Sequence, residues 1–179
     1  MWLHAGEASD VSALNYLSHR LLQMDSSAII VMTSQSSDRS PLKAEDSIHN
    51  VEVPEESSTS VQDFLNIWRP HTLICTGGKL RPIMLRVAAN SGVQMILANS
   101  KATDFKPKGF RLLPDVTRKV LRLFSELYAM DELAANQLNR MGVAANRIKL
   151  KGALQSAAAM PDAPKALTEE LLSTLTGRT

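Results

Sequence analysis

Three stretches of the chain place chemically capable side chains at the boundary between a strand and a helix. In the first, Trp2-Leu3-His4-Ala5 reads as a short buried strand that runs into the small-residue turn Gly6-Glu7-Ala8-Ser9-Asp10. A helix follows with apolar positions at Val11, Leu14, Leu17 and Leu21. At such a junction backbone N–H groups and the positive end of the helix dipole face a crevice where ligands collect. Glu7 and Asp10 put two carboxylates in or beside it. Catalysis is one reading of them. On local sequence alone, capping by Ser9 or Asp10 is the simpler one, because either side chain can accept the open N–H groups of the first turn. In the second stretch, Gly77-Gly78 follows the apolar run 72–76 directly and leads through Lys79 and Arg81 to Pro82. Adjacent glycines let a ligand approach the backbone, but without the spaced phosphate-loop pattern they signal no more than a tight turn. The third is the irregular basic segment 99–111, with Lys101, Lys106, Lys108 and Arg111. It suits phosphate groups or an acidic membrane surface, against the ordinary alternative of a solvated basic face.

The elements needed to position these residues are legible in order. A turn at Asp25-Ser26-Ser27 precedes a β-branched strand at 28–33, and residues 48–53 suggest a short edge strand closed by Pro54. A helix from about residue 60 turns Val61, Phe64, Leu65 and Trp68 to one side and ends at Arg69-Pro70. The strand at 72–76 does not alternate, which predicts that both its faces are covered. Helices opening at Pro82 and Pro114, strands at 93–98, 127–130 and 147–151, and a helix capped by Asp131 and stopped by Gly142 complete the pattern. Alternating strands and helices with uninterrupted apolar strands predict an α/β, doubly wound, mainly parallel Rossmann-like sheet of six or seven strands. Residues 1–156 form that domain in this reading, and 157–179 read as an alanine- and proline-rich linker with a final helix at 167–175.

Composition narrows the function classes. With 179 residues, 44% hydrophobic and 21% charged, the chain fits one globular domain. Its single cysteine, Cys75, lies in an apolar run, so no disulfide forms within the chain and a buried free thiol is expected. No apolar run reaches membrane-span length. His4, His19, His49 and His71 share no metal-ligand spacing, so no metal site is expected. Net charge is only +2, but residues 38–63 carry seven acids against two bases and residues 99–122 seven bases against two acids. Few aromatics accompany the basic segment, which argues against nucleic acid as a partner.

The order of these motifs resembles the amino-terminal domain of the bacterial lipopolysaccharide 3-deoxy-D-manno-octulosonic acid (Kdo) transferases. The resemblance is carried by Trp2-Leu3-His4-Ala5 with its acidic turn, by Phe64-Leu65-Asn66-Ile67-Trp68-Arg69-Pro70-His71-Thr72-Leu73-Ile74, and by Leu97-Ala98-Asn99-Ser100-Lys101 with Lys108-Gly109-Phe110-Arg111. Leu127-Tyr128-Ala129-Met130-Asp131-Glu132-Leu133-Ala134, Leu138-Asn139-Arg140-Met141-Gly142-Val143 and Arg147-Ile148-Lys149-Leu150-Lys151-Gly152 extend it along nearly the whole chain. It implies one half of a two-domain, GT-B type glycosyltransferase. That half binds lipid A or its precursor, and a carboxyl-terminal domain beyond this chain binds the donor CMP-Kdo. No cofactor is implied. The expected location is the bacterial cytoplasm, at the cytoplasmic face of the inner membrane with peripheral contact to its surface, and this chain alone is expected to be inactive.

Carried over residue by residue, the resemblance places Asp10 on the family's glutamate, taken as the base that deprotonates the acceptor hydroxyl. Glu7 falls on a serine and Ser9 on a glycine, so Asp10 and Glu7 are the catalytic candidates. After the fourth strand the family has Glu-Thr-Glu-Leu-Trp-Pro-Asn, where this chain has Gly77-Gly78-Lys79-Leu80-Arg81-Pro82-Ile83. Two acids are lost and two cations gained there, while Lys101 stands for an arginine and keeps its charge without the bidentate fork. The expected acceptor side therefore comprises Ser9, Gly77, Gly78, Lys79, Arg81, Asn99, Lys101, Lys108 and Arg111. The alternative is a divergent, non-catalytic relative that binds an anionic lipid, a glycan or a partner protein through the same rim.

Overall fold

The computed structural model of the chain describes residues 1–35, 47–105 and 114–154. Seven strands form one sheet: β1 (Trp2–Ala5), β2 (Ile30–Ser34), β3 (Ile48–Asn50), β4 (Thr72–Thr76), β5 (Gln94–Ser100), β6 (Glu126–Ala129) and β7 (Ile148–Leu150). Their order is β3-β2-β1-β4-β5-β6-β7, and every pairing is parallel. The doubly wound topology expected from the alternating pattern is therefore present. The helices are α1 (Val11–Met24), α2 (Ser58–Trp68), α3 (Pro82–Asn90), α4 (Pro114–Leu121) and α5 (Glu132–Arg140). The helix and linker expected within 157–179 lie outside the described residues.

Local chemistry sets the helix ends. Ser57 caps α2 by accepting from the Ser60 N–H, and Asp131 caps α5 by accepting from Ala134 at 2.7 Å. Pro82 opens α3 at a position where its missing N–H is not needed. Arg69 closes α2 in the left-handed conformation, with φ 43°.

The two faces of the sheet are covered unequally. Helices α2, α3, α4 and α5 all contribute to one core cluster with Trp2, Leu73, Cys75, Met95, Leu97 and Leu127, whereas α1 packs in a second cluster with Leu3, Ala5, Ile30 and Met32. The first cluster is anchored by Trp2, fully buried with its ring centroid 4.5 Å from that of Phe64. Burial of β4 accordingly alternates: Leu73 and Cys75 are buried, while Thr72 and Ile74 are half-buried. Both faces of that strand are covered, as expected, since Ile74 packs against the second cluster, though less completely. Crossovers that all run toward β7 place their helices on one side.

Candidate functional site

The carboxyl ends of β1, β4 and β5 meet where the strand order reverses, the place where open α/β sheets bind ligands. Their turns touch. A methyl added at Gly6 would stand 2.1 Å from the carbonyl oxygen of Gly77, and the Gly6 N–H donates to Thr76 Oγ1 at 2.9 Å. A methyl on Gly77 would meet Asp104 Oδ2 at 2.0 Å, and one on Gly78, which has φ +96°, would meet Glu7 Cγ at 2.6 Å. The glycine pair is thus required by close approach, as the sequence allowed. The groups that approach are the chain's own carboxylate side chains.

Asp10 ends a 3-10 turn (Ala8–Asp10), and although it occupies the N-cap position of α1 its side chain makes no capping hydrogen bond. Ser9 makes none either; it is exposed, with its Oγ 3.4 Å from Glu7 Oε2. The capping reading is therefore wrong. The reason lies 89 residues away: Asn99 Nδ2 donates to Asp10 Oδ1 at 2.7 Å and draws the carboxylate, 3% exposed, under the crevice. Asp10 Oδ2 is buried with no hydrogen-bond partner among the described residues.

Glu7 is arranged differently. Its Oε2 accepts from Lys101 Nζ at 2.9 Å, with both side chains over a third exposed or close to it. That hydrogen bond is the main influence holding the Lys101 ammonium above its usual lysine range, so the lysine stays charged at neutral pH. Asp104, which accepts the Lys101 N–H at 2.7 Å, has its carboxyl raised above the ordinary range by burial. Backbone N–H groups of Lys101 and Gly78 oppose that rise.

The cations expected to form one cradle for an anionic acceptor are engaged differently. Arg81 donates from Nε to Glu56 Oε2 at 2.9 Å and from Nη2 to the Pro54 carbonyl at 2.5 Å, so its guanidinium ties the approach to α2 onto the start of α3. Two of its five N–H donors are thereby engaged within the chain, and its charge also reaches His4 on β1. Lys79 is exposed beside the Gly77–Gly78 turn, and Lys108 and Arg111 lie outside the described residues. Asn99, also expected to hold acceptor, has both ends of its amide engaged, since Oδ1 accepts the Leu154 N–H at 3.0 Å.

Two features were not picked out from the sequence. Asp104 is one. The other is His4, 2% exposed on β1, whose Nδ1 lies 2.8 Å from Thr33 Oγ1; that oxygen also accepts from Trp2 Nε1 at 2.9 Å. Burial, with a further contribution from the Arg81 charge, lowers its pKa to about 4, so the ring is neutral at physiological pH. Cys75 is buried as expected, and burial pushes its thiol up to about 12, which leaves it inert as a nucleophile. No group of three or more histidine, cysteine or acidic side chains suited to a metal ion occurs among the described residues, and no described helix is long and apolar enough to cross a membrane.

A family described as 3-deoxy-D-manno-octulosonic-acid transferase (kdotransferase) matches residues 1–158. Among solved structures, UDP-GlcNAc 2-epimerase from Methanocaldococcus jannaschii is similar with a TM-score of 0.61 and 15% identity, covering 94% of this chain and 52% of its own. The enzyme of the same name from Neisseria meningitidis, bound to UDP-GlcNAc, gives 0.61 at 14% identity over 99% of this chain and 52% of its own. That from Rickettsia bellii gives 0.60 at 13% identity over 98% and 50%. At these identities the likeness establishes the GT-B type Rossmann-like fold, and the chain spans about half the length of these structures. No curated protein matches.

Proposed function

Because the chain belongs to the 3-deoxy-D-manno-octulosonic-acid transferase family through that family's amino-terminal domain, we propose that it is the acceptor-side half of a lipopolysaccharide glycosyltransferase with Asp10 as its base. The reaction in this reading moves Kdo from CMP-Kdo to a lipid A-type acceptor at the cytoplasmic face of the inner membrane. A carboxyl-terminal domain holds the donor. The acceptor hydroxyl oxygen forms a bond to the anomeric carbon of Kdo, the bond from that carbon to the CMP phosphate oxygen breaks, and CMP leaves with the electron pair. The hydroxyl proton passes to the base.

One observation separates the two carboxylates. Asp10 Oδ2 has no hydrogen-bond partner among the described residues while Asn99 fixes Oδ1, whereas the Glu7 carboxylate is paired with Lys101. A base needs an uncommitted lone pair, and an anchored carboxylate aims it. Asp10 is 3% exposed, so the acceptor reaches it only as the crevice opens. Lys101 and Lys79 border that crevice and suit the phosphate of an anionic acceptor.

The test joins this chain to a donor half of the family and supplies CMP-Kdo with an acylated glucosamine-phosphate acceptor. Asp10→Ala is expected to lower kcat about a hundredfold or more, in line with loss of a general base. Glu7→Ala is expected to act mainly on acceptor KM. Turnover that Asp10→Ala leaves untouched refutes the assignment. Acceptor binding with no turnover in the parent protein favours the non-catalytic relative.

A further inference from the structure

Building on the assignment of Asp10 as base, we propose that Asn99 is its positioning residue, and that the segment leaving β7 sets the orientation of Asn99. The backbone of Asn99 is left-handed, with φ 56°, at a point where the β5–β6 register shifts between Leu97 and Ser100. A non-glycine residue held in that region at the end of a sheet strand marks a local constraint, and asparagine is among the residues that tolerate it. The turn takes the side chain out of the ladder and into the gap between β1 and the chain's exit.

Both ends of the amide are used there, and each dictates the other. Leu154 N–H can only donate, so it fixes Oδ1 on its side, and Nδ2 must then face Asp10 Oδ1. The reversed amide would set two acceptor oxygens against each other and an N–H against an N–H. Leu154 is itself placed by packing against the cluster that contains Leu3 and Leu14. Between β7 and this contact Gly152 turns the backbone with φ 75°. The chain therefore leaves the edge of the sheet and returns to its centre before delivering this N–H. The position of residues 152–154 reaches the base through one amide, although Leu154 and Asp10 make no hydrogen bond with each other.

Two substitutions separate the two bonds. Asn99→Gly accepts the left-handed backbone freely and removes both. Asn99→Asp keeps an acceptor for Leu154 but replaces the donor to Asp10 with a like charge. Amide hydrogen exchange on the 179-residue chain is expected to show Leu154 protection falling about tenfold or more in Asn99→Gly and persisting in Asn99→Asp, with core β4 amides unchanged in both. Asp10→Ala is expected to lower Leu154 protection as well, because the amide is then free to turn. In the protein completed with a donor half, Asn99→Asp is expected to lower kcat about tenfold to a hundredfold with acceptor KM unchanged. Leu154 protection indifferent to Asn99→Gly and Asp10→Ala overturns the proposal, as does an Asn99→Asp effect confined to KM. If Asp10→Ala releases Leu154 but leaves turnover intact, the base assignment alone fails and the Asp10–Asn99–Leu154 linkage stands.

Discussion

Lys101 Nζ meets Glu7 Oε2 at 2.9 Å, joining the turn after β5 to the turn after β1 across the end of β4. The Glu7 side chain lies over Gly78 to reach this partner, with Cγ 2.6 Å from where a methyl on that glycine would be. The contact therefore explains the glycine and the ion pair together. It also places one cation of the proposed acceptor site on an internal counter-charge, so an incoming phosphate competes with Glu7 for Lys101.

Lys101→Met should accordingly separate stability from binding. An ion pair this exposed is worth about 0 to 1 kcal/mol, so the urea midpoint should barely move. Affinity for a phosphorylated glucosamine acceptor should fall about tenfold, the scale of one charge-assisted hydrogen bond. Titration calorimetry against phosphorylated and dephosphorylated acceptors checks this, and equal loss for both would remove Lys101 from phosphate binding.

Gly6→Ala and Gly92→Ala should differ sharply. At Gly6 the added methyl runs into backbone at 2.1 Å, whereas at Gly92, with φ +80°, nothing lies within 4 Å. The first should cost about 3 kcal/mol or more, as the turns after β1 and β4 are forced apart. The second should cost about 1 kcal/mol, from backbone conformation alone. Denaturant unfolding of the two variants decides between these mechanisms.

His4 should make the fold sensitive to mild acid. Its pKa is about 4 in the folded chain against 6.5 for the free side chain, so below pH 6.5 the unfolded chain binds a proton that the folded chain does not. This contribution to stability is intact above pH 6.5 and declines as pH falls toward 4, by up to about 3 kcal/mol. Urea midpoints measured at pH 7 and 4.5 should show the loss in the parent chain, and His4→Gln should show a smaller one. Equal slopes for the two proteins would contradict the buried neutral ring.

Arg81→Lys should weaken the fold and spare acceptor binding. The fork that spans Glu56 and the Pro54 carbonyl has no lysine equivalent, and its loss should cost about 1 to 2 kcal/mol in chemical denaturation. Calorimetry with the acceptor should give an unchanged Kd; a weakened one would give Arg81 a part in acceptor binding.

The sheet was readable because parallel strands buried in α/β proteins are written as unbroken apolar runs, and β2, β4 and β5 carry such runs in Ile30-Val31-Met32, Leu73-Ile74-Cys75 and Met95-Ile96-Leu97-Ala98. Helix ends with local caps, at Ser57, Pro82 and Asp131, were equally open to reading or lay within a residue or two of the expected start. The candidate site was not, because its decisive contacts are long-range. Nothing near Asp10 in sequence announces that Asn99 will take its carboxylate away from the helix end, and nothing near Arg81 points to Glu56. The glycines at 77 and 78 read as no more than a tight turn, and nothing near them in sequence says that Asp104 and Glu7 lie against them. Asp104 lies in a segment that reads by its cations, so its role behind the glycine turn had no local signal.

The strand that carries His4 and leads into the Glu7–Asp10 turn lies in the middle of the sheet, paired with β2 on one side and β4 on the other. Its second partner is some 70 residues further along, and every pairing in the sheet is a parallel one that no hairpin can start. Synthesis therefore delivers the central strand before both of its neighbours, and β4 much later than β2. Until residues 72–76 arrive, Trp2 has no finished pocket to enter. The chemistry assigned to this turn thus belongs among the last features to be completed during folding, and a defect in assembly anywhere between β1 and β5 should register there before it registers in overall helix content.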